Sequence, residues 1–263
     1  MSTSSPSASE ADTNPELVRS HDRERIRVEF IAQRGYWRPW VETLLESNPG
    51  FVEHYARYAG YPARTGPLSE RMVELIYVAL DSSGSHLFPS GLRTHMTRAL
   101  QVGATRADVL DVLHLVAVQG VASVGQAASI VSELASVAER VPDIDPALQQ
   151  RIAQVGPAHG LDLQALARRD PGYVEVLLDF VTHGRPQEGG LSLAERCLVT
   201  AALQACFTAF NPDAFRSVAR TALDHGVEAA ALPQAVPLGA HLAVHGTALG
   251  ADTLREILSS GPA

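Results

Sequence analysis

The chain has 263 residues, of which 46% are hydrophobic and 19% charged, so it can bury a sizeable core and is not disordered throughout. Its formal net charge of −8 argues against a nucleic-acid surface, which needs clustered basic residues. All 21 basic residues are arginine, which excludes chemistry that depends on a lysine, such as a Schiff base or a phosphate-loop lysine.

The N-terminal segment, residues 1–15, is rich in serine and contains no apolar stretch. We therefore expect a disordered tail rather than a secretory signal. Elsewhere, no uninterrupted apolar run approaches the roughly 18 residues of a membrane span. Together these features predict a cytoplasmic protein that contacts neither a membrane nor nucleic acid.

Helical patterns dominate the rest of the sequence. In Ala104–Gly120 the apolar residues recur at the spacing of one helix face, and Thr105 followed by Asp108 is a capping signal. Ser192 and Glu195 repeat this signal before another apolar run. No segment shows the sustained alternation or the turn signals of a sheet, so an all-α fold is predicted.

Three blocks of sequence occur twice, at offsets of 122, 125 and 123 residues. The paired blocks are Asn48–Glu53 and Asp170–Glu175, Leu68–Arg71 and Leu193–Arg196, and Arg98–Ala104 and Thr221–Val227. This repeat predicts two tandem copies of one helical unit, packed as a pseudo-dimer. In this interpretation residues 16–138 hold an N-terminal helix and the first copy, 139–155 a linker and a helix, and 156–259 a second, degenerate copy.

The first copy resembles the carboxymuconolactone decarboxylase and alkylhydroperoxidase D family over Leu68–Leu80 and over His95–Leu110, which contains a Gly-Ala-Thr turn. In that family a glutamate on one helix is followed by two cysteines, or their substitutes, and then by a histidine near the start of the next helix. The resemblance implies an all-α fold that assembles into oligomers of such units. For the decarboxylase branch it also implies a reaction without a metal or an organic cofactor.

The cysteines of the redox members of that family are absent here. Counted forward from Glu74 or back from His95 at the family's spacing, no position that would hold a thiol is a cysteine. The four positions are His86, Pro89, Phe88 and Gly91. Because disulfide chemistry needs two adjacent thiols, peroxidase and disulfide reductase activities are disfavoured. Cys197 and Cys206 lie outside this pattern in an apolar run, which is typical of buried core thiols.

Three residues of the first copy are candidates for proton transfer. A carboxylate in an otherwise apolar helix, Glu74, and the imidazoles of His95 and His86 can exchange protons near neutral pH. Glu74 could instead pair with an arginine such as Arg93 or Arg98. His95 could merely cap or pack a helix, and His86, in a loop, could face solvent. In a catalytically active site the three candidates should line one cavity, whereas in an inactive site they should lie apart.

The candidates for substrate binding are Arg93, Ser90, Tyr77 and Trp37. An arginine is the expected partner of an anionic substrate, because guanidinium groups hold carboxylates in a bidentate manner and the chain has no lysine. Trp37 belongs to an aromatic cluster that we expect to pack on the other copy or to roof the pocket. No metal site is predicted, since His241 and His245 are four residues apart but lack a nearby third acidic ligand.

The second copy lacks these reactive groups. Aligned through the Leu193–Arg196 block, it has Val199 in place of the glutamate and Val218 in place of the histidine. We therefore expect the site in the first copy, with the second copy mainly structural or lining the pocket.

The sequence thus predicts a cofactor-free lyase or isomerase that acts by proton transfer on a small carboxylate, keto acid or lactone. Its expected partners are this small-molecule substrate and further copies of the chain, as a homo-oligomer with two or three subunits. The alternative is a catalytically dead protein that binds a small molecule or serves as a scaffold.

Overall fold

The computed structural model describes residues 15–135 and 142–260, and within these ranges all regular secondary structure is helical. The predicted all-α fold is thereby confirmed. Nearly all of the predicted N-terminal tail and the start of the predicted linker lie outside the described residues.

The helices follow one another closely along the described chain. In its first part they are α1 (Pro15–Arg34), α2 (Pro39–Ser47), α3 (Pro49–Arg64), α4 (Glu70–Ser82), α5 (Pro89–Gln101), α6 (Arg106–Val118) and α7 (Val121–Ala135). In its second part they are α8 (Pro146–His159), α9 (Gln164–Arg169), α10 (Pro171–His183), α11 (Leu193–Ala205), α12 (Pro212–Asp224), α13 (Ala231–Ala240) and α14 (Val244–Ser260). A short 3-10 helix, His241–Ala243, lies between α13 and α14.

Both predicted capping signals form. Thr105 Oγ1 accepts a hydrogen bond from the Asp108 N–H at 3.1 Å, and the Asp108 carboxylate accepts one from the Thr105 N–H at 2.7 Å, where α6 begins. Ser192 and Glu195 make the same reciprocal pair at the start of α11. These bonds satisfy amides that the first turn of a helix leaves without a partner within the helix.

Two compact units make up the described chain. The terminal unit comprises residues 15–61 and 244–260, and the central unit comprises residues 62–243. The units do not coincide with the two predicted copies, because the first helices of one copy and the last helix of the other share the terminal unit.

The terminal unit has an aromatic core around α1. Phe30 is fully buried and makes edge-on contacts with Trp37 and Trp40, with ring centroids 5.4 and 6.3 Å away. Tyr55 of α3 packs on Trp40 at 6.1 Å. Trp37 also donates its indole N–H to Glu42 at 3.0 Å. The aromatic cluster predicted around Trp37 therefore forms, and these contacts hold the Trp37 ring within its own unit.

Helices α4 and α11 form the centre of the central unit. Ten residues of α4 and nine of α11 are buried, and their apolar side chains share one core with side chains of α5, α6, α12 and α13. A helix that is apolar on nearly every side suits such an interior position. The few polar side chains in these two helices are therefore buried, and each needs a partner there.

The two copies keep one register through this core. Ser69 caps α4, Ser192 caps α11 123 residues later, and both helices are 13 residues long. The helices that follow them, α5 and α12, also begin 123 residues apart, at Pro89 and Pro212.

This register corrects the alignment of the second copy. The Leu68–Arg71 block and its counterpart are offset by 125 residues, so they lie two residues out of step with the helix starts. The counterpart of Glu74 is consequently Cys197 and not Val199. The physical reason is that the cap serine determines where the helix begins. Equivalent residues are therefore counted from the start of the helix and not from the short block of similar sequence that lies near it.

One stretch of the described chain, Arg106–Ala135, would be long and apolar enough to cross a membrane by length and composition alone. It consists of α6, a turn and α7, and it carries buried carboxylates: Asp108 is ion-paired with Arg71, and Asp111 with Arg196. Core helices of water-soluble proteins pass the same test. The expectations of a cytoplasmic location and of no membrane contact stay predictions.

Candidate functional site

The structure joins Glu74 and His95, the two residues that carry the family resemblance. Glu74 lies in the middle of α4 and His95 in the second turn of α5, and both are buried, with 5% and 8% of their surface exposed. Glu74 Oε2 is 2.7 Å from His95 Nδ1, which is the distance of a short charge-assisted hydrogen bond.

This contact selects one tautomer of the His95 ring. A carboxylate can only accept, so Nδ1 of His95 donates to Glu74. In the neutral ring the lone pair then lies on Nε2, which is the nitrogen that can take up a proton. When it does so, the carboxylate of Glu74 stabilises the resulting imidazolium charge. The pair is thus arranged as a general base with an orienting acid.

Arg98 completes the arrangement from the same side of α5. It follows His95 by three residues, which places both on one helix face. Its Nε lies 3.1 Å from Glu74 Oε1, and its Nη2 lies 2.6 Å from Glu70 Oε1. Glu74 therefore pairs with an arginine, as the structural alternative expected, and with the histidine at the same time. The guanidinium and the imidazole thus each contact one oxygen of the Glu74 carboxylate, which fixes its orientation toward His95.

Tyr77 lies against the same pair. It is one turn after Glu74 on α4, it is 2% exposed, and its ring centroid is 4.5 Å from that of His95. The aromatic face restricts the orientation of the imidazole. Of the four predicted binding residues, Tyr77 is thus one that the structure places beside the predicted proton-transfer residues.

His86 lies at the other end of α4. A carboxylate oxygen of Asp81 lies within 4.8 Å of an imidazole nitrogen of His86. Asp81 follows Glu74 by two helical turns, which is about 10 Å along the axis. Burial lowers the pKa of His86 from its ordinary value, so the ring is held neutral near pH 7. Two of the three predicted proton-transfer residues therefore meet, and the structure gives His86 a different neighbour.

Arg93 and Ser90 lie apart from the pair. Both are exposed, in the first turns of α5. Arg93 precedes His95 by two residues, about 200° around the helix, so it faces away from the side that carries His95. The arginine at Glu74 is Arg98 and not Arg93. Trp37 lies in the terminal unit, where its indole N–H binds Glu42. A role of these residues in substrate binding stays a prediction.

The second copy has no acid and no imidazole at the equivalent positions. In the register of the caps, Cys197 replaces Glu74, Thr200 replaces Tyr77 and Val218 replaces His95, and all three are buried. Burial raises the pKa of Cys197 to about 11, so its thiol stays protonated near neutral pH. A protonated thiol is a poor nucleophile. This agrees with the prediction that both cysteines are core thiols.

Sequence reasoning named Arg98 only as one of two possible partners of Glu74. Helical spacing could have chosen between them, because a residue three after His95 shares its face and a residue two before it does not. No pattern in the sequence pointed to Asp81, which looks like any polar residue near the end of a helix.

Comparisons with known proteins agree with this fold. No protein-family model and no curated protein matches the chain. Among solved structures, the chain is similar to a proposed gamma-carboxymuconolactone decarboxylase subunit from Burkholderia xenovorans, determined at 1.70 Å resolution. The identity is 26% and the TM-score 0.80, and the match covers 91% of this chain and 98% of that chain. The similarity confirms the family resemblance found in the sequence.

Proposed function

We propose that the chain is a cofactor-free lyase or isomerase of small carboxylates, keto acids or lactones, similar in kind to the carboxymuconolactone decarboxylases. The similar solved structure is named as a gamma-carboxymuconolactone decarboxylase subunit. The observation that carries the proposal is the buried hydrogen bond of 2.7 Å between Glu74 and His95.

The proposed reaction is a proton transfer at a carbon next to a carbonyl group. Nε2 of His95 takes the proton, and the electron pair of the broken C–H bond moves into the carbonyl as an enolate. In an isomerisation the same nitrogen returns the proton to another carbon of the enolate. In a decarboxylation no C–H bond is broken: the electron pair of the breaking C–C bond becomes the enolate as carbon dioxide leaves, and His95, protonated beforehand by water, gives its proton to that enolate. Glu74 stabilises the imidazolium between these steps, and Arg98 holds the Glu74 carboxylate in place. No lysine is needed, which suits a chain that has none.

A proton-exchange assay tests this proposal before the substrate is known. A panel of cyclic keto acids and lactones in D2O is followed by NMR for protein-dependent loss of the proton next to the carbonyl. We expect exchange with the wild-type chain, a loss of about 100-fold or more in His95→Gln, and a smaller loss in Glu74→Gln. Arg220→Gln, an exposed arginine on α12, is the matched control and should exchange at the wild-type rate.

The alternative is a protein that binds a small molecule without turning it over. In favour of it is the position of His86, which the structure does not join to the Glu74–His95 pair. Under this alternative, members of the panel still bind to the chain, but none exchanges its proton. Equal exchange rates for wild type, Glu74→Gln and His95→Gln would also remove the proton-transfer assignment.

We also propose that the chain forms a homo-oligomer. In the last turns of α7 the apolar side chains of Ile130, Val131 and Leu134 are 56%, 55% and 79% exposed. Neighbouring exposed apolar residues are typical of surfaces that another subunit covers. Light scattering of the purified chain tests this: a mass of two or three chains supports the proposal, and a mass near 28.1 kDa contradicts it.

A further inference from the structure

The central unit has a cavity whose lining does not include Glu74 or His95. It measures about 620 Å³ and lies between the α6–α7 segment and the turn that joins α11 to α12. A volume of this size is typical of small-molecule sites. The side chains that matter for its chemistry are Gln119, Gln126, Gln204, Phe207, Phe210 and Asn211.

Gln204 is the unusual member of this lining. It lies in the last turn of α11 and is 2% exposed, yet its carboxamide has no hydrogen-bond partner among the described residues. The other carboxamides here are engaged. Gln119 accepts from Ser83 at 2.8 Å and donates to a backbone carbonyl at 3.1 Å, and Gln126 donates to Asn211 at 2.9 Å.

Because no group of the described chain satisfies this carboxamide, it bonds to whatever fills the cavity, which is either water or a ligand. The carboxamide of Gln204 offers two N–H donors and one carbonyl acceptor to the cavity that it lines. Such a group is expected to bind a molecule that presents an acceptor and a donor side by side.

The lining also restricts the charge of that molecule. Within the described chain no Asp, Glu, Arg or His lines the cavity. An ionised ligand would therefore give up its hydration without gaining a counter-charge, which disfavours it. At the cavity, Phe207 and Phe210 are 58% and 61% exposed and offer aromatic faces on which a flat ring can pack.

We propose that this cavity is a second binding site, which takes a small uncharged aromatic molecule that carries an amide-like donor and acceptor. The Gln204 carboxamide is its polar anchor, and Phe207 and Phe210 contact its ring. The site is independent of the proposed lyase activity. Its polar anchor and its aromatic rings come from the second copy, which lacks the acid and the imidazole, and Gln119 and Gln126 of the first copy also line it.

The test compares two probes of the same shape on the full chain. Benzamide is uncharged and has the required donor and acceptor, whereas benzoate carries a negative charge at neutral pH. We expect saturable binding of benzamide in ligand-observed NMR and at least tenfold weaker binding of benzoate. Equal affinities, or no saturable binding of benzamide at millimolar concentrations, overturn the proposal.

A near-isosteric variant tests the anchor. Gln204→Met removes the polar group and keeps the volume, so we expect at least a tenfold loss of benzamide affinity with a Tm that is unchanged or higher. We expect no fall in Tm, since the substitution breaks no hydrogen bond between Gln204 and another group of the described chain. Unchanged affinity in Gln204→Met contradicts the anchor, and a fall in Tm without a loss of affinity assigns Gln204 a structural role instead.

Two further variants separate this site from the other proposals. Glu74→Gln alters the proposed lyase site and should bind benzamide like the wild type, so failure of one proposal is distinguishable from failure of the other. The double variant Phe207→Ala and Phe210→Ala should lose benzamide affinity at an unchanged molecular mass. If it instead breaks an oligomer, the aromatic face is an interface between subunits and the proposal is wrong.

Discussion

Asp111 and Gln234 occupy the same position in the two copies, 123 residues apart, and each accepts a hydrogen bond from the other copy's backbone. The Leu191 N–H donates to Asp111 Oδ2 at 3.0 Å, and the Leu68 N–H donates to Gln234 Oε1 at 2.8 Å. The donors are also 123 residues apart. Such reciprocal contacts are what the predicted two-fold packing of the copies would produce, and the pseudo-dimer itself stays a prediction.

The two acceptors differ in charge, and this predicts different costs of removing them. Asp111 is fully buried and ion-paired with the buried guanidinium of Arg196, with Arg185 3.5 Å away. We expect Asp111→Asn to lower the free energy of unfolding by about 3–5 kcal/mol, because it leaves a buried cation without its counter-charge. Gln234→Ala loses neutral hydrogen bonds and should cost about 1–3 kcal/mol. Denaturant unfolding measures both, and equal costs would contradict this reading of the pair.

Local signals in the sequence predicted most of the fold. The capping pairs at Thr105 and Ser192 form because they depend on residues three apart, whatever the tertiary context. The family resemblance pointed to Glu74 and His95 as candidates for one site, but it did not predict the hydrogen bond between them. The register of the second copy was predicted wrongly. A short recurring block of sequence can lie two residues further along the helix in one copy than in the other, while the capping residue keeps its position. Gln204 was also missed, since a buried amide is only unusual once its neighbours are known.

The buried His159 predicts a loss of stability in acid. Burial, together with the charges of Arg196, His114 and Arg185, lowers the pKa of His159 to about 3. The folded chain therefore keeps this ring neutral at a pH where the unfolded chain, with an ordinary pKa of about 6.5, protonates it. Stability is thus full above about pH 6.5 and falls as the pH drops toward 3. At pH 5 the loss from this group is about 2 kcal/mol.

The variant His159→Gln isolates that effect. Without the imidazole, the difference in unfolding free energy between pH 7 and pH 5 should shrink by about 2 kcal/mol. Burial also lowers the pKa of His114, so part of the acid sensitivity remains in the variant. The measurement is denaturant unfolding at both pH values, and an unchanged difference would show that His159 is not held neutral by the fold.

Arg98 is predicted to be a positioning residue that acts through Glu74. Arg98→Met keeps the alkyl stem and removes the charge that lies 3.1 Å from Glu74 Oε1. We expect about a tenfold lower proton-exchange rate, less than the loss in His95→Gln, and a change in the rate–pH profile. If Arg98 serves only to stabilise the fold, Arg98→Met will lower the Tm and leave the shape of that profile unchanged. Arg220→Met, at an exposed arginine of α12, is the control and should match the wild type in profile shape.

The thiols of Cys197 and Cys206 should be inert in the folded chain. Both are free and buried, and burial raises the pKa of Cys197 to about 11. Only the thiolate reacts readily with alkylating or disulfide reagents, so both should react slowly at pH 7.5 in buffer and rapidly in denaturant. Cys197→Ala should retain the proton-exchange activity. A fast-reacting thiol in the folded chain would contradict this prediction. Peroxide consumption that disappears in Cys197→Ala would show that the chain has a redox activity.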